Sequence, residues 1–205
     1  VIGSGGREHA LVWRLSRSSS VSELLVAPGN AGTATLARNL PIAATDLPGL
    51  VGAAQKHCVD LVVVGPEIPL ALGLVDMLQQ AGIPAFGPRR DAARLESSKA
   101  FAHEVMHSCG IPAADSHVFT SFVEAREFVA RIPFPAVVKA DGLAAGKGAI
   151  IVSSLKDAVT ALEDILVKRV FGDAGNRVIV EEFLQGREVS LLAFTDGSHV
   201  VPMVP

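Results

Sequence analysis

Residues 135–152 read PAVVKADGLAAGKGAIIV, a pattern that predicts a strand, a glycine-rich loop and a second strand. The first apolar run, 136–138, ends at Lys139, and the second covers 149–152. Between them lie three glycines and another lysine: Gly142, Gly146, Lys147 and Gly148. Glycines let backbone N–H groups approach an anion closely, and lysine supplies positive charge for phosphate oxygens. We therefore expect a phosphate-binding hairpin here.

Two better-known phosphate loops do not fit this stretch. A Walker loop has four residues between its glycines, a hydroxyl residue after its lysine and a helix behind it. Here three residues separate Gly142 from Gly146, Gly148 takes the hydroxyl position, and a strand follows. A Rossmann loop also opens a helix. The remaining hypothesis is a flap that folds over phosphates, as in kinases, and an ordinary hairpin that binds nothing is the alternative.

The chain has 205 residues, 49% hydrophobic and 19% charged, enough for one large domain or two small ones with a substantial core. Aromatic residues are few, and no tyrosine occurs, which favours a helix-covered α/β protein. The net charge is −3 without a long basic run, so we expect no nucleic-acid partner. No signal peptide or apolar stretch of membrane-spanning length is visible, so we expect no membrane partner and a cytoplasmic location.

Cys58 and Cys109 lack metal or redox spacing, so we expect buried thiols in a reducing compartment. Both ends of the chain suggest a longer polypeptide. The apolar start, Val1-Ile2, is shorter than a typical strand, and residues 200–205 stop in a β-type run. We therefore expect this chain to be a piece of a larger protein.

Residues 1–88 alternate short apolar runs with helical patterns, which predicts an N-terminal domain with an open parallel sheet and helices on both faces. Strands are expected at 24–27, 61–64 and 83–86. Helices are expected where apolar residues recur at helical spacing: Ala10, Leu11 and Leu15; Leu47, Leu50, Val51 and Ala54; Ala71, Leu74, Val75 and Leu78.

Three unusual loops follow strands of this sheet, at 3–9, 28–33 and 65–67. Because ligands of open parallel sheets bind beyond the carboxyl ends of the strands, we expect these loops to form one site. Residues 5–7 precede a helix N-terminus, which favours a phosphate. Glu8 stands where a dinucleotide fingerprint has its third glycine, so helix and strand should pack less closely, which argues against a dinucleotide. Tight turns that bind nothing are the alternative.

Residues 89–115 are predicted to be a connector with one helix, capped by Ser97-Ser98 and carrying Lys99 in its first turn. A cation there opposes the helix dipole, so we expect Lys99 to serve a ligand, with a solvated surface lysine as the alternative. Residues 116–184 are predicted to be a small α+β unit around the glycine hairpin, and 185–205 the start of a further part.

The elements of this second half follow from the same patterns. They are strands at 117–120, 178–180 and 189–194, helices at 122–129 and 155–166, a loop at 171–175 and a hairpin turn at Asp196-Gly197. Glu182 and Glu188 have two interpretations. Both are solvated edge charges, or backbone groups at 181–184 bind an adenine while Glu188 binds a ribose hydroxyl.

Seven stretches of the chain together resemble one family. They are residues 3–10, 28–33, 64–67 with Pro69-Leu70, 95–99, 139–148, 171–175 and 181–184. The glycine loop resembles that of the ATP-grasp superfamily, and the first three stretches in this order resemble the phosphoribosylamine–glycine ligases (glycinamide ribonucleotide synthetases) of purine biosynthesis. The resemblance covers essentially the whole chain. It implies a Rossmann-like pre-ATP-grasp domain followed by the first part of an ATP-grasp domain.

The resemblance implies that glycine is joined to 5-phosphoribosylamine by way of glycyl phosphate while ATP becomes ADP and phosphate, with Mg²⁺ or Mn²⁺ present. Residues 142–148 would close as a flap that excludes water. The implied ATP-binding residues are Lys99, Lys139, Gly142, Gly146, Lys147, Gly148, Glu181, Glu182, Phe183, Leu184 and Glu188. The implied phosphoribosylamine-binding residues are Gly5, Gly6, Arg7, Glu8, Pro28, Gly29, Asn30, Gly32, Thr33, Gly65, Pro66 and Glu67.

In this family the metal-binding Glu and Asn, a glycine-rich segment near the glycine substrate and a C-terminal domain all lie beyond the position of residue 205. The resemblance therefore implies no metal ligand in this chain, and no catalytic residue within it is assigned. It also implies that these 205 residues alone are inactive. The parent protein is expected to be the ligase, either by itself or fused to other purine-pathway domains.

Other hypotheses stay open. Another ATP-grasp enzyme of the purine pathway, such as a carboxylase-type enzyme acting on aminoimidazole ribonucleotide, would share the hairpin, but the loops at 7–9 and 28–33 argue against it. A non-catalytic module that binds a nucleotide or phosphosugar would suit the missing metal ligands. A dinucleotide-binding dehydrogenase is least favoured because of Glu8.

Overall fold

The computed structural model describes residues 1–144 and 147–203, and its N-terminal part contains a parallel sheet. Strands β1 (Ile2–Gly3), β2 (Leu25–Pro28) and β3 (Arg38–Asn39) pair in parallel in the order β1-β2-β3. Strands β4 (Val62–Val63) and β5 (Ala85–Phe86) also pair in parallel. A parallel bridge between Ile2 and Val64 joins β1 to the end of β4. The predicted open parallel sheet is confirmed.

Helices α1 (Gly6–Leu15), α2 (Leu47–Lys56), α3 (Glu67–Leu72) and α4 (Leu74–Gln80) alternate with these strands. Residues from both kinds of element form one apolar core: Ile2, Ala27, Leu47, Leu50, Ala54, Val62, Val64, Leu74, Val75, Leu78 and Ile83. Strands β1, β2 and β4 are apolar and largely buried, as expected for a parallel sheet between helices, whereas β3 at the edge is polar.

The predicted buried face of α1 is wrong. Ala10 and Leu11 are exposed and Leu15 is half-buried, whereas Val12 and Glu8 are buried. Glu8 and Val12 are one helical turn apart and therefore share a face. A search for apolar periodicity could not find this face, because one of its two buried members is a carboxylate.

The predicted continuous helix through Ala71 and Leu78 is also wrong. The chain breaks at Gly73, whose φ of +95° lies in the left-handed region, and α3 ends where α4 begins. Glycine adopts this conformation without the steric cost that a Cβ would add. The break lets α4 bury Leu74, Val75 and Leu78 while α3 buries Pro69.

The connector contains two helices, α5 (Arg90–Ser97) and α6 (Lys99–Ser108), separated by the extended residue Ser98. The predicted cap of α6 is confirmed, because the Ser98 hydroxyl accepts a hydrogen bond from the Phe101 N–H at 3.2 Å. The sequence analysis missed α5. Its charged sequence buries only Ala93, so it shows little apolar periodicity. The domain boundaries given above stay predictions.

The second half is built on an antiparallel sheet in the order β6-β9-β7-β8. Its strands are β6 (Ser116–Phe119), β7 (Ala136–Ala140), β8 (Ala149–Val152) and β9 (Val178–Glu182), and its helices are α7 (Phe122–Val129) and α8 (Leu155–Leu162). One face packs on the helices through Val129, Val138, Val152, Leu162 and Val180. Side chains alternate across a strand, so Lys139 and Glu181 lie on the opposite face from this core.

Three local predictions in this half need correction. The predicted helix 155–166 changes at Glu163 into a π-helical segment, Glu163–Val167, and the predicted loop 171–175 is a 3₁₀ turn, Gly172–Asn176. The strand predicted at 189–194 begins only at Ala193. Strands β10 (Ala193–Thr195) and β11 (Val200–Pro202) form an antiparallel hairpin. The turn predicted at Asp196-Gly197 is confirmed, with the Asp196 carboxylate accepting from the N–H groups of Ser198 and His199.

Both cysteines differ from the expectation of burial, since Cys58 and Cys109 are exposed free thiols. Cys58 has a positive φ of 49°, and Cys109 follows the last residue of α6. Across the described ranges 1–144 and 147–203, the helices are too short or too polar to cross a membrane.

Candidate functional site

The three loops that were expected to share a site do meet at one edge of the parallel sheet. The Gly29 N–H donates to the Gly3 carbonyl at 3.0 Å, and the Gly65 N–H donates to the Ile2 carbonyl at 3.1 Å. The Asn30 amide donates to the Ser4 carbonyl at 2.9 Å. Parallel strands end at the same edge, so these contacts fix the loops to one another. We call this region the N-terminal loop cluster, residues 3–9, 28–33 and 64–67.

Glu8 lies inside the N-terminal loop cluster. Its carboxylate accepts a hydrogen bond from the Gly5 N–H at 2.6 Å, and the residue is only 4% exposed. A Cβ added at Gly3 or Gly65 would collide with the Glu8 side chain. Glu8 therefore fills the space beside Gly3 and Gly65, and the expectation that helix and strand pack less closely than with a glycine at this position stays a prediction. The Gly5 N–H is already used within the loop.

Asn30 and Thr33 are held by a network that includes Asn39 of β3. The Thr33 hydroxyl is fully buried, accepts from the Asn30 N–H at 2.8 Å and lies 2.9 Å from the Asn39 side-chain oxygen. The Asn39 amide donates to the Asn30 carbonyl at 2.9 Å. Sequence reasoning missed Asn39, because β3 is short and polar and gives no strand signal. Thr33 was predicted to bind substrate, but here its hydroxyl bonds to protein groups.

Arg7 and Glu67 form the exposed part of the cluster. The Arg7 guanidinium donates to the Glu67 carboxylate at 2.8 Å, and the Arg7 side chain is 75% exposed. The pKa of Glu67 is lowered, first by its own backbone N–H at the start of α3 and then by Arg7. The same pair raises the pKa of Arg7. A charged guanidinium therefore stands in solvent beside the N-terminus of α1.

The remaining predicted residues of this set lie at the same edge. Gly6 is exposed at the start of α1 and has open space around it. Gly32 packs against the His9 ring, and Pro66 precedes the first residue of α3. Pro28 ends β2 after a cis peptide bond.

The predicted hairpin joins β7 to β8, which pair antiparallel with Lys139 opposite Ala149. The Ala140 N–H donates to the Gly148 carbonyl at 2.8 Å and closes the base of the loop. Gly142 packs against the backbone of Ala174 in the 3₁₀ turn, so that turn supports the hairpin. Lys147 is exposed, and Gly146 lies outside the described residues.

Asp141 ties the base of the hairpin to the start of α6. Its carboxylate is buried, accepts from the Ala100 N–H at 3.2 Å and from the Ser98 hydroxyl at 3.1 Å, and lies 2.5 Å from the Arg177 guanidinium. A carboxylate is stabilised at a helix N-terminus by the unpaired N–H groups and the helix dipole. The Lys99 ammonium donates to the Gly142 carbonyl at 2.8 Å. The start of α6 is thus joined to both Asp141 and Gly142 of the hairpin.

Lys139 makes an ion pair on the face of the sheet opposite the core. Its ammonium lies 2.5 Å from one carboxylate oxygen of Glu181, and the other oxygen lies 2.9 Å from His103 Nε2. The Glu181 side chain is 4% exposed and that of Lys139 is 26% exposed. Sequence reasoning named Lys139 and Glu181 separately and missed their pairing. It missed His103 altogether, because one histidine in a helix gives no signal of a partner 78 residues away.

The predicted adenine-binding segment lies at the end of β9. Glu182 is exposed, and its N–H donates to the Asp115 carbonyl at 3.0 Å. Phe183 is half-buried beside a cavity of about 380 Å³ lined also by His117, Phe128 and Pro135. Leu184 and Glu188 are exposed in the irregular segment before β10. Within residues 1–144 and 147–203, neither Leu184 nor Glu188 forms a hydrogen bond or ion pair with Lys139 or Lys147 of the hairpin.

A second cavity, of about 520 Å³, lies at the opposite edge of the parallel sheet and is lined by Val1, Leu15, Leu25, Leu50 and Leu61 among others. None of the predicted site residues that the structure describes lines it. The polar groups of the two loop regions, and not this apolar cavity, therefore define the candidate site. Throughout residues 1–144 and 147–203, no group of three or more His, Cys, Asp or Glu side chains is placed to hold a metal ion.

Comparison with known families and proteins gives consistent matches. The family model described as "Phosphoribosylglycinamide synthetase, N domain" matches residues 1–96, and "Phosphoribosylglycinamide synthetase, ATP-grasp (A) domain" matches residues 97–205. A phosphoribosylamine–glycine ligase of Xanthomonas campestris is 54% identical over 99% of this chain and 48% of its own length. The chain thus spans about half the length of the curated relatives it matches.

Solved structures agree on the fold. A phosphoribosylamine–glycine ligase of Thermotoga maritima superimposes with a TM-score of 0.82 at 31% identity, over 98% of this chain and 47% of that one. An N5-carboxyaminoimidazole ribonucleotide synthetase of Thermus thermophilus gives a TM-score of 0.73 at 19% identity, over 98% of this chain and 52% of that one. The second likeness shows the fold alone.

Proposed function

The chain belongs to the phosphoribosylglycinamide synthetase family, and on this premise we propose that the polypeptide carrying it joins glycine to 5-phosphoribosylamine. The products are glycinamide ribonucleotide, ADP and phosphate. ATP supplies the phosphoryl group that activates the glycine carboxylate as glycyl phosphate, which the sugar amine attacks. The observation that carries the proposal is that Lys139 of β7 and Lys99 of α6 both stand at the base of one glycine hairpin.

Lys139 and Lys99 are proposed to hold the phosphates of ATP. An ammonium has three N–H donors, so the single recorded bond of each lysine leaves donors for phosphate oxygens. Their protein partners, the Glu181 carboxylate and the Gly142 carbonyl, fix each ammonium in place before a ligand binds. Fixed charges act on a ligand without first having to be ordered.

Residues 142–148 of the hairpin are proposed to close over the phosphates and exclude water from the glycyl phosphate. Its base is anchored by the Ala140–Gly148 hydrogen bond and by the packing of Gly142 on Ala174. Lys147 is exposed near the end of the loop, and it is proposed to contact the phosphates when the flap closes. We also propose that the backbone of residues 181–184 borders the adenine and that Glu188 binds the ribose.

The N-terminal loop cluster is proposed to bind phosphoribosylamine. Because the Gly5 N–H is taken by Glu8, the groups left for the sugar phosphate are the N–H groups of Gly6 and Arg7 and the Arg7 guanidinium. A phosphate at the N-terminus of α1 would compete with Glu67 for this guanidinium. Asn30, locked by Asn39 and Ser4, would border the sugar.

A divalent ion, Mg²⁺ or Mn²⁺, belongs to the proposed reaction. The residues described at 1–144 and 147–203 do not assemble a set of ligands for it, so we assign no step to it here. That its ligands lie beyond residue 205 stays a prediction. We further propose boundaries at 88/89, 115/116 and 184/185, and a cytoplasmic location, as suits a purine-biosynthetic enzyme.

The test is glycine-dependent and phosphoribosylamine-dependent ADP formation by the natural polypeptide that carries residues 1–205. Lys139→Ala should weaken ATP binding at least about tenfold, because one charged hydrogen bond is lost. Lys156→Ala, which removes an exposed lysine on α8, is the matched control and should leave binding unchanged. ADP formation that does not depend on glycine would overturn the proposed reaction. ATP binding without turnover would favour a non-catalytic module, and turnover with aminoimidazole ribonucleotide would favour the carboxylase-type enzyme.

A further inference from the structure

We propose that His103 is a positioning residue that holds the Lys139 ammonium in place through Glu181. The three side chains come from three elements: His103 from α6, Glu181 from β9 and Lys139 from β7. His103 Nε2 lies 2.9 Å from Glu181 Oε1, and Lys139 Nζ lies 2.5 Å from Glu181 Oε2. The proposal deepens the proposed function, since it rests on Lys139 being a ligand of phosphate.

The strand register explains how Lys139 and Glu181 meet. Lys139 pairs with Ile179 and Val137 pairs with Glu181, so Lys139 and Glu181 are diagonal neighbours on one face of the sheet. A diagonal pair of long side chains is within contact distance in antiparallel sheets. The pairing by itself fixes only one oxygen of the carboxylate, because the carboxylate can turn about its last bond.

His103 supplies the second fixed point. A carboxylate oxygen can only accept, so His103 Nε2 carries the hydrogen in this bond. Because His103 bonds one oxygen and Lys139 the other, the orientation of the Glu181 carboxylate plane is fixed. The position of the Lys139 ammonium is fixed with it. The His103 side chain is 16% exposed and that of Glu181 4% exposed, so water has little access to replace either bond.

The helix that carries His103 is itself anchored to the hairpin. Asp141 accepts from the Ala100 N–H at the start of α6, and Lys99 of the same helix donates to the Gly142 carbonyl. His103 is one turn beyond Lys99 on this helix. Helix α6 therefore places both proposed phosphate ligands, Lys99 directly and Lys139 through the His103–Glu181 bond.

A purely structural histidine would contribute to folding but not to the choice of ligand. Loss of a positioning histidine should lower the affinity for nucleotides that carry phosphates and leave the affinity for adenosine, which has none, unchanged. The affinities for ATP and adenosine are therefore measured by calorimetry on the natural polypeptide that carries residues 1–205. The variants are His103→Leu, which removes the donor, and His103→Gln, whose amide nitrogen can donate to Glu181. His107→Ala, an exposed histidine one turn further along α6, is the matched control.

We expect His103→Leu to weaken ATP binding about tenfold, the effect of one charged hydrogen bond, with adenosine affinity unchanged. His103→Gln should recover most of the ATP affinity, and His107→Ala should match the unsubstituted protein. In a Lys139→Ala background, His103→Leu should have no further effect on ATP. Should His103→Leu fail to fold, His103→Asn, whose amide is too short to reach Glu181, takes its place.

Two outcomes separate failure of this inference from failure of the proposed function. If Lys139→Ala leaves ATP affinity unchanged, Lys139 is not a phosphate ligand and both ideas fall. The positioning role alone is overturned in two cases, both with Lys139→Ala weakening ATP binding. In the first, the His103 variants leave ATP binding unchanged. In the second, they weaken the binding of ATP and of adenosine equally.

Discussion

In the N-terminal loop cluster, the glycine loops are fixed by side chains that belong to the loops themselves or to the neighbouring strand. Glu8, Thr33 and Asn39 fill the space between the loops and bond to their backbone. The hairpin 141–148 is fixed differently, by contacts from elements distant in the sequence. Asp141 is held by Ser98, which caps α6, by Ala100 of α6 and by Arg177, which precedes β9.

This difference matches the two proposed tasks. A site for a sugar phosphate can be rigid, and the N-terminal loop cluster has few free backbone donors left to rearrange. A flap, as proposed for the hairpin, has to open and close, and the anchoring contacts of Asp141 and Gly142 lie at its base. The contrast predicts that substitutions in the two regions affect different parts of the protein.

The largest expected effect is at the buried acceptor of the hairpin region. Glu181→Ala leaves the Lys139 ammonium and the His103 ring without their shared partner, and should lower the local stability of β7 and β9 by about 3 kcal/mol. The partial exposure of Lys139 keeps the estimate at the lower end of that range. Amide hydrogen exchange of β7 and β9 measures it. Glu182→Ala, the exposed neighbour, is the control, and equal effects in both variants would contradict a special role for Glu181.

Glu8→Ala is the corresponding change in the N-terminal loop cluster. It removes the acceptor of the Gly5 N–H and opens a space beside Gly3 and Gly65, so a loss of about 2 kcal/mol is expected. Exchange of the Gly5 and Gly65 amides should accelerate while that of β7 and β9 stays unchanged. Glu23→Ala, at an exposed position, is the control. Faster exchange in the hairpin sheet would show that the two regions are not independent.

The two regions also differ in how far the sequence predicted them. The strands of the hairpin were predicted closely, β8 to the residue at 149–152 and β7 one residue short of its end at Ala140, because apolar runs mark them. The anchors of the hairpin were not predicted, since the contacts of Asp141 and Glu181 span about 40 residues or more and depend on tertiary packing. In the N-terminal loop cluster the position of the loops was predicted from the carboxyl ends of parallel strands. The burial of the Glu8 carboxylate was not predicted, because burial of a charged group follows no apolar pattern.

Gly142→Ala tests whether the base of the flap needs its glycine. Its φ of +157° is disfavoured for other residues, and an added Cβ would press on the backbone of Ala174. We expect a loss of about 1–2 kcal/mol in local stability and weaker ATP binding. Gly186→Ala, at a position with open space, is the control. Unchanged ATP affinity would separate the base of the hairpin from nucleotide binding.

Arg7→Gln should have the smallest effect on stability, within about 0.5 kcal/mol, because exposed ion pairs contribute little. Its effect on Glu67 is more informative. The pKa of Glu67 lies below its ordinary value of 4.5, so this carboxyl stabilises the fold above pH 4.5, and that contribution is lost as the pH falls through the folded pKa.

The Glu67 N–H is the larger cause of this lowering, and Arg7→Gln removes only the second cause. The pKa of Glu67 should therefore rise but remain below 4.5, as measured by NMR titration of its side-chain carboxyl. Arg14→Gln, an exposed arginine in the last turn of α1, should leave it unchanged. A return of Glu67 to 4.5 in the Arg7 variant would mean that the guanidinium, and not the start of α3, holds this carboxylate in its charged form. The edge of the cluster would then be fixed by an ion pair between residues distant in the sequence, as the hairpin is by Asp141 and Arg177, and the contrast between the two regions would be lost there.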